Sequence, residues 1–426
     1  MRHSIAAALA TSAILLGLAA PAAAQPPETS VTSTPFTTPN TDNCPNRTSP
    51  PPAIDSSEVP EPGRTVPSPA PVPADAVGGP ELDACGVVTA TGTPPLPADI
   101  SATAWVLSDL DTGDVIAAKD PHGRYRPAST IKTLLALVAL KELDLNASVT
   151  GTAEDAQAEG SAVGIGKGGV YTIRQLMQGL VMASGNDAAH AIAVQLGGVD
   201  VAVQKMNDEA AALGALDTRV VTPSGLDGPG MSCSAYDLAL IFRAAIADPT
   251  FAQLISTESV PFPGYPKDPA VPDDKDHPGF TLASDNQLLY NYDGALGGKN
   301  GYTDDARQTF VGGAQKNGRR LAVSVMDADV LPIRPWEQVA RLLDYGFALP
   351  AGTSVGTLVD ANSVSDRAVT KTATPSSPTS TAVPNRPLAS GSDSADGDLA
   401  VRVGVGIVAL IAVGGLLTWA RKLSRR

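Results

Sequence analysis

Residues 126–132 read RPASTIK, and the apolar residues after them recur at the spacing of an α-helix. Pro127 stands at a position typical of a helix start. Ser129 and Lys132 are three residues apart, so a helix places both side chains on one face, within reach of each other. A serine hydroxyl becomes a strong nucleophile when a base takes its proton, and a lysine with a lowered pKa can be that base. Alone, this pattern occurs in many proteins, and an ordinary helix start with a solvated lysine also explains it.

Strand patterns lie on both sides of this helix. Residues 104–107 and 115–118 are strand-like and are separated by the turn-forming residues 111–114, which predicts a hairpin before the helix. A second hairpin is predicted near the other end, where residues 309–314 and 321–325 flank an Asn-Gly turn. The two hairpins are therefore far apart in the sequence.

The region between the hairpins is mostly helical as far as about residue 247, with clear helices over residues 173–182 and 188–196. A last amphipathic helix follows the second hairpin, and its apolar face contains Trp336, Val339, Leu342, Leu343 and Phe347. Strands at both ends with helices between them predict an α+β domain. The N- and C-terminal segments of this domain would share one antiparallel sheet, with a helical cluster inserted between them.

A second polar motif, SGN at residues 184–186, lies between two predicted helices. Ser184 could pass a proton to a leaving amine, and Asn186 could hold a lysine or a substrate amide. A helix N-cap is the alternative interpretation, because Ser and Asn are common at that position. Alone, this motif does not identify a site.

A third motif, KNG at residues 299–301, precedes Tyr302. A strand lysine can attract a substrate carboxylate, and the glycine leaves room for a substrate to lie against the strand. The same letters recur at residues 316–318, where we interpret them as a plain hairpin turn. The two glycines before residue 299 distinguish the first copy.

Taken together and in this order, the three motifs are similar to the S-x-x-K, S-D-N and K-T-G set of penicillin-binding proteins and class A β-lactamases. The chain resembles the low-molecular-mass penicillin-binding proteins, which are D-alanyl-D-alanine carboxypeptidases. The resemblance covers about residues 99–350 and includes RPASTIK, the Ser-Gly-Asn form of the second motif and TPSGL at residues 222–226.

This resemblance implies a β-lactamase/transpeptidase-like fold and a serine mechanism without a cofactor or metal. Lys132 would take the proton of Ser129, which would attack the carbonyl between two D-alanines of a peptidoglycan stem peptide, and β-lactam antibiotics would acylate the same serine. The backbone N–H groups of Ser129 and Tyr302 would form the oxyanion hole, and Ser184 would relay a proton to the departing D-alanine. The implied site residues are Ser129, Lys132, Ser184 and Asn186 for catalysis, and Lys299, Asn300, Gly301 and Tyr302 for substrate binding.

The third motif departs from the family pattern, because Asn300 stands where the family has a threonine or serine whose hydroxyl would bind the terminal carboxylate. A catalytically weakened wall-binding protein is therefore one alternative. A β-lactamase is another, although neither Glu209 nor Glu258 has the asparagine four residues on that class A enzymes use. D,D-endopeptidase action would use the same residues and stays open.

Both ends of the chain indicate export and anchoring. A polar start, an apolar run over residues 5–18 and three alanines at 22–24 predict a signal peptide. Residues 403–420 are uncharged and apolar, and a basic tail follows them, which predicts a membrane helix with the domain on the extracytoplasmic face. The predicted limits are a signal peptide at 1–24, a Pro-rich arm at 25–98, the catalytic domain at 99–350, a Ser/Thr/Pro linker at 351–398, a transmembrane helix at 399–420 and a cytoplasmic tail at 421–426.

The net charge of the chain bears on the kind of partner that it can bind. The net charge of −14 disfavours nucleic-acid binding, which needs a basic surface.

Cys44 and Cys85 would pair in an oxidising compartment, and Cys233 would be a small buried apolar residue. The glycine-rich residues 164–169 lack the flanking residues of a P-loop and are predicted to be a loop, and His190 is predicted to be structural. Residues 261–279 precede the third motif, so we expect this loop at the rim of the site.

Overall fold

The computed structural model describes residues 37–361 and 363. The predicted signal peptide, transmembrane helix and cytoplasmic tail lie outside the described residues. The first residues of the Pro-rich arm and most of the Ser/Thr/Pro linker also lie outside them. Within the described part of the chain, no single helix has the length and apolar character needed to cross a membrane, and one bent pair, Ala235–Ile246 with Pro249–Ile255, meets that criterion only when taken together.

The described residues form strands and helices in an order close to the predicted one. The strands are β1 (Val87–Thr89), β2 (Ala104–Asp109), β3 (Asp114–Lys119), β4 (Ser148–Thr150), β5 (Val170–Thr172), β6 (Ser259–Phe262), β7 (Phe280–Ala283), β8 (Ala295–Thr303), β9 (Arg307–Lys316), β10 (Arg319–Ala328) and β11 (Gly356–Thr357). The helices are α1 (Lys132–Glu142), α2 (Ala153–Ala156), α3 (Ile173–Met182), α4 (Asn186–Gln195), α5 (Val199–Leu213), α6 (Ala235–Ile246), α7 (Pro249–Ile255), α8 (Gln287–Asn291) and α9 (Pro335–Ala348). Short 3-10 helices cover Pro80–Asp83 and Ala128–Ile131.

The main sheet is antiparallel and follows the order β1-β3-β2-β10-β9-β8, with β11 also paired to β3. Both predicted hairpins are present: β2 pairs with β3, and β9 pairs with β10 around a turn at Asn317 and Gly318. Because β2 and β10 pair in the centre, the two ends of the domain share one sheet. The predicted α+β class is confirmed.

Helices cover both faces of this sheet. On one face α9 buries the residues that the sequence pattern placed inward, including Val339, Leu342 and Leu343, against β9 and β10. On the other face α6 packs on β2 and β10, and α1 packs on α6. The buried Ser324 hydroxyl in β10 donates to the Ala235 carbonyl at 2.6 Å, so this polar group has a partner between the two layers.

Both predicted domain limits, at residues 98 and 350, fall inside this sheet. β1 comes from the predicted arm and β11 from the predicted linker, and both pair with β3. The outer edge of β3 would otherwise leave backbone donors and acceptors unpaired. Strands of three and two residues leave no periodicity in a Pro-rich sequence, which is why the sequence pattern did not predict them.

The described part of the arm is fixed to the domain. The predicted disulfide between Cys44 and Cys85 is confirmed, and Cys233 is fully buried as expected. Arg124, which is 1% exposed, donates from Nη1 to the carbonyls of Thr48 at 2.9 Å and Ala70 at 2.6 Å. The arm therefore contributes to the folded domain and does not act only as a linker.

Candidate active site

Ser129 lies in the 3-10 helix Ala128–Ile131, which we call the serine turn, directly before α1. The sequence predicted one continuous helix from Pro127, and the structure differs in this first turn. The hydroxyls of Thr130 and Thr309 both donate to the Pro127 carbonyl, at 2.6 and 2.8 Å. These two hydroxyls, one from the turn itself and one from β9, satisfy the carbonyl, so it has no need of an α-helical partner. Ala128 has a φ of 47°, an uncommon conformation for a residue with a side chain.

The Lys132 amine is fully buried and surrounded by three oxygen atoms. Its Nζ lies 2.8 Å from Ser129 Oγ, 2.6 Å from Asn186 Oδ1 and 2.6 Å from the Ser224 carbonyl oxygen. Burial holds the pKa of Lys132 well below the ordinary value for lysine, and the nearby charge of Lys299 lowers the pKa further. The structure thus brings Ser129, Lys132 and Asn186 together.

The second motif begins α4. Gly185 occupies the N-cap position and Asn186 is the first helical residue, so neither Ser184 nor Asn186 is the N-cap. The Asn186 amide donates to the Glu159 carbonyl at 2.5 Å, which directs its oxygen towards Lys132. Ser184 is buried with a φ of 59°, and it is not among the three partners of the Lys132 amine. Its predicted relay role stays a prediction.

The third motif lies on β8, the strand at one end of the sheet. Lys299 is 1% exposed, and its Nζ donates to the Asn300 carbonyl at 2.7 Å and to Asn300 Oδ1 at 2.9 Å. Burial lowers the pKa of Lys299. Tyr302 is exposed, and its hydroxyl donates to Asp304 at 2.7 Å. The second KNG copy forms the β9–β10 turn, as predicted.

β8 and the segment at residues 222–226 both approach the serine turn closely. A Cβ atom added to Gly301 would lie 2.8 Å from the Ser129 nitrogen, so the strand and the turn are in contact. Gly225 has a φ of 88°, and a Cβ added there would overlap the Ala128 carbonyl oxygen. TPSGL therefore contributes a carbonyl to Lys132 and a glycine that makes room for the serine turn.

Two acidic residues in the site region were not assigned by sequence reasoning. Asp187 accepts from the N–H groups of Val163, Gly164 and Ile165 at 2.8–2.9 Å and so fixes the loop beside the second motif. The negative charge of Asp285 favours the protonated form of both site lysines. It therefore partly offsets the lowering of their pKa values by burial. Its only sequence signal was its place before a helix cap.

Residues 261–279, which we call the rim loop, contact another loop next to the second motif. Residues 164–169 form a loop, as predicted, and Gly166 lies against the ring of Tyr265 from the rim loop. Lys167 pairs with Asp268 at 3.0 Å. The rim loop thus contacts residues 166 and 167, which directly follow the residues that Asp187 holds. Its predicted place at the rim stays a prediction.

One buried cluster could in principle hold a metal ion. Within residues 37–361, His122, Asp217 and Asp237 have donor atoms within 4.8 Å of one another. The imidazole contacts Asp217 at 2.9 Å and the Val77 carbonyl at 3.0 Å, and Arg124 donates to the same aspartate at 3.1 Å. The guanidinium charge opposes a second cation there, so we interpret the cluster as a buried ion-pair network that holds the arm. His190 contacts Asp155 at 2.6 Å, outside the site.

Comparison with known proteins gives one consistent family. A family model described as D-alanyl-D-alanine carboxypeptidase matches residues 89–330. The chain is 49% identical over 275 residues to the D-alanyl-D-alanine carboxypeptidase DacB2 of Mycobacterium tuberculosis, covering 64% of this chain and 90% of that protein. It is 33% identical over 269 residues to DacD of Escherichia coli, covering 59% of this chain and 64% of that protein, which is less than two thirds of its length.

Solved structures give the same result. The crystal structure of a D-alanyl-D-alanine carboxypeptidase from Mycobacterium tuberculosis is similar with a TM-score of 0.58 and 48% identity, covering 63% of this chain and 99% of that one. The DD-transpeptidase of Streptomyces K15 is similar with a TM-score of 0.55 and 27% identity, covering 60% of this chain and all of that one. These similarities confirm the predicted fold family.

The contact between Gly225 and the serine turn predicts a large effect of one added methyl group. Gly225→Ala should destabilise the domain more than Gly92→Ala, which has a similar φ of 84° but open space around it. The backbone cost of alanine is about 1–2 kcal/mol at both sites, and the overlap with Ala128 adds about 1–3 kcal/mol. Denaturant unfolding of the two variants measures the difference. Equal stabilities would show that the turn does not depend on this contact.

Proposed function

The chain belongs to the D-alanyl-D-alanine carboxypeptidase family, and we propose that it removes the terminal D-alanine from peptidoglycan stem pentapeptides through an acyl-enzyme at Ser129. Family membership makes it a serine-type hydrolase. The observation that carries the assignment of individual residues is the environment of the Lys132 amine, which pairs a buried lysine with a serine hydroxyl.

The partners of Lys132 suit a neutral amine. A neutral amine has two N–H donors and one lone pair. Asn186 Oδ1 and the Ser224 carbonyl can only accept, so they take the two N–H groups. The lone pair then faces Ser129 Oγ at 2.8 Å and can accept the hydroxyl proton. This is the arrangement that a general base needs before the serine attacks.

Acylation then follows from the placement of the other groups. Ser129 Oγ attacks the carbonyl carbon between the two D-alanines while its proton moves to Lys132. The backbone N–H groups of Ser129 and Tyr302 donate to the oxygen that becomes negative. Ser184 relays a proton to the amine of the departing D-alanine, and water then hydrolyses the ester at Ser129. The contact of Gly301 with the serine turn supports this, because it keeps the two N–H groups on neighbouring segments.

Asn300 can replace the missing hydroxyl of the family motif. A lysine ammonium only donates, so the amide atom 2.9 Å from Lys299 is the oxygen. The Asn300 NH₂ group is then directed away from Lys299 and is available to the terminal carboxylate of the substrate. Asn300 is also the observation that favours the second candidate function, a catalytically weakened wall-binding protein. Its side chain is longer than that of threonine, so its donor does not occupy the position of the family hydroxyl.

We also propose that the chain is exported and anchored by residues 399–420, with the domain on the extracytoplasmic face. The apolar runs near both ends of the sequence support this proposal. The Cys44–Cys85 disulfide supports it further, because disulfides persist in oxidising compartments. Stem peptides and β-lactams are the ligands expected on that side of the membrane.

The proposed function is tested by release of D-alanine from a peptide ending in Lys-D-Ala-D-Ala. The purified full-length chain should release D-alanine, and Ser129→Ala should lose at least ~10³-fold of the rate because the nucleophile is absent. Release that persists in Ser129→Ala would contradict the assignment of the nucleophile. Folded protein without any release would favour the wall-binding alternative.

The burial of Lys132 predicts the pH dependence of acylation by a β-lactam. Only the neutral amine can accept a proton, so the acylation rate should rise with pH and level off well below the ordinary pKa of lysine. Lys132→Arg should lower the acylation rate by about 10²–10⁴-fold, because a guanidinium stays protonated and cannot accept the serine proton. Lys141→Arg, an exposed position on the same helix, is the control. Mass spectrometry of the acylated protein measures the rate, and a rise only near the ordinary lysine pKa would contradict a neutral base.

The role of Asn300 predicts different effects of two substitutions. Asn300→Ala removes the donor to the terminal carboxylate and should lower kcat/KM for D-alanine release by about 10²-fold. Asn300→Thr restores a short hydroxyl donor and should keep or increase kcat/KM. Steady-state kinetics on the same peptide distinguishes the two. An alanine variant as active as the unsubstituted chain would show that this side chain does not bind the carboxylate.

A further inference from the structure

Residues 54–58, which we call the arm loop, contact both sides of the active-site region. The Ile54 N–H donates to Asp305 Oδ1 at 2.6 Å, and the Ser57 hydroxyl donates to Asp305 Oδ2 at 3.1 Å. At its other end the loop places Glu58 against Arg126 in an ion pair. The arm loop lies outside residues 89–330, which the family model matches.

The two contacted residues are close in sequence to the proposed catalytic groups. Arg126 is three residues before Ser129, and Asp305 is three residues after Tyr302, just beyond the end of β8. The serine turn and β8 face each other across the contact at Gly301. The arm loop therefore bridges the serine-turn side and the β8 side at the end of the site nearest Asp305.

The direction of the bound peptide follows from the proposed function, on which this inference rests. The terminal carboxylate lies at Lys299 and Asn300, and the scissile carbonyl lies at the N–H of Tyr302. Residues upstream of the scissile bond therefore continue past Tyr302 towards Asp305, which is the end bridged by the arm loop. We propose that the arm loop forms the wall of the acyl-side subsite and is a specificity-determining element for stem-peptide residues upstream of the D-alanines.

The arm loop is held firmly enough to form such a wall. Arg126 is 2% exposed, and its ion-pair partner in the described residues is Glu58. Asp55 accepts from the Ser57 N–H at 2.8 Å, which shapes the turn of the loop. The disulfide between residues 44 and 85 closes the chain segment that contains the loop. These contacts restrict the loop from both ends and from within, which lowers the entropic cost of binding a peptide against it.

The experiment compares two substrates that differ only upstream: an acylated D-Ala-D-Ala dipeptide and a pentapeptide with three more residues before the D-alanines. Glu58→Gln removes the charge that pairs with Arg126, and Ser57→Ala removes one exposed contact to Asp305 without disturbing a buried charge. Each variant should raise KM for the pentapeptide, by about tenfold for Glu58→Gln and less for Ser57→Ala. The kcat values, and KM for the dipeptide, should stay within about twofold.

The control is Asp83→Asn, which breaks the Arg47–Asp83 ion pair elsewhere in the arm and should leave both KM values unchanged. Equal losses on both substrates would overturn the inference, because they would place the effect on the serine turn. Unchanged KM values in both variants would overturn it as well. Failure of the unsubstituted chain to release D-alanine from either substrate would contradict the proposed function, and this inference with it.

Discussion

The Lys132 amine is held by oxygen atoms from three separate parts of the chain: Ser129 on the serine turn, Asn186 on α4 and the Ser224 carbonyl. A protonated lysine in this place would cost several kcal/mol in lost hydration. Burial lowers the pKa of Lys132 and so favours the neutral amine, for which two of the three oxygens are pure acceptors and the third belongs to a hydroxyl that can also donate. The position of the Ser129 hydroxyl, 2.8 Å from Lys132 Nζ, is thus linked to how one buried nitrogen is satisfied.

The same requirement explains the architecture around the site. α4, the TPSGL segment and the serine turn must meet at one point, and each is fixed by the layer that holds it. Thr309 on β9 donates to the Pro127 carbonyl, so the sheet positions the start of the serine turn. Gly225 and Gly301 let two segments approach the turn more closely than side chains would allow. Packing of the sheet against the helices is therefore what sets the distances in the site.

Sequence reasoning predicted the parts of the protein that have long periodic patterns or motif order. This group includes the two hairpins and the helices α3 and α9. It also includes the joint presence of Ser129, Lys132 and Asn186. Sequence reasoning did not predict β1, β11 or the arm contacts, because short strands in Pro-rich segments derive their pairing from the edge of β3. At the 3-10 turn that contains Ser129, the Pro127 carbonyl accepts from Thr309, a contact between residues that are far apart in the sequence. The charge effect of Asp285 on the lysines arises only in the folded state.

The position of β8 at the end of the sheet has a consequence for the molecule as a whole. Among the described residues β8 has one strand partner, β9, and side chains already occupy two of its carbonyls: Asn286 Nδ2 donates to Gly298 and Lys299 Nζ donates to Asn300. Such an edge is a template for β-augmentation by a peptide and also a hazard for self-association. A register shift near residue 297 and the serine turn at Gly301 interrupt this edge within a few residues. The strand can therefore accept a short extended segment, while a long strand from another molecule finds too few consecutive partners to form a stable ladder.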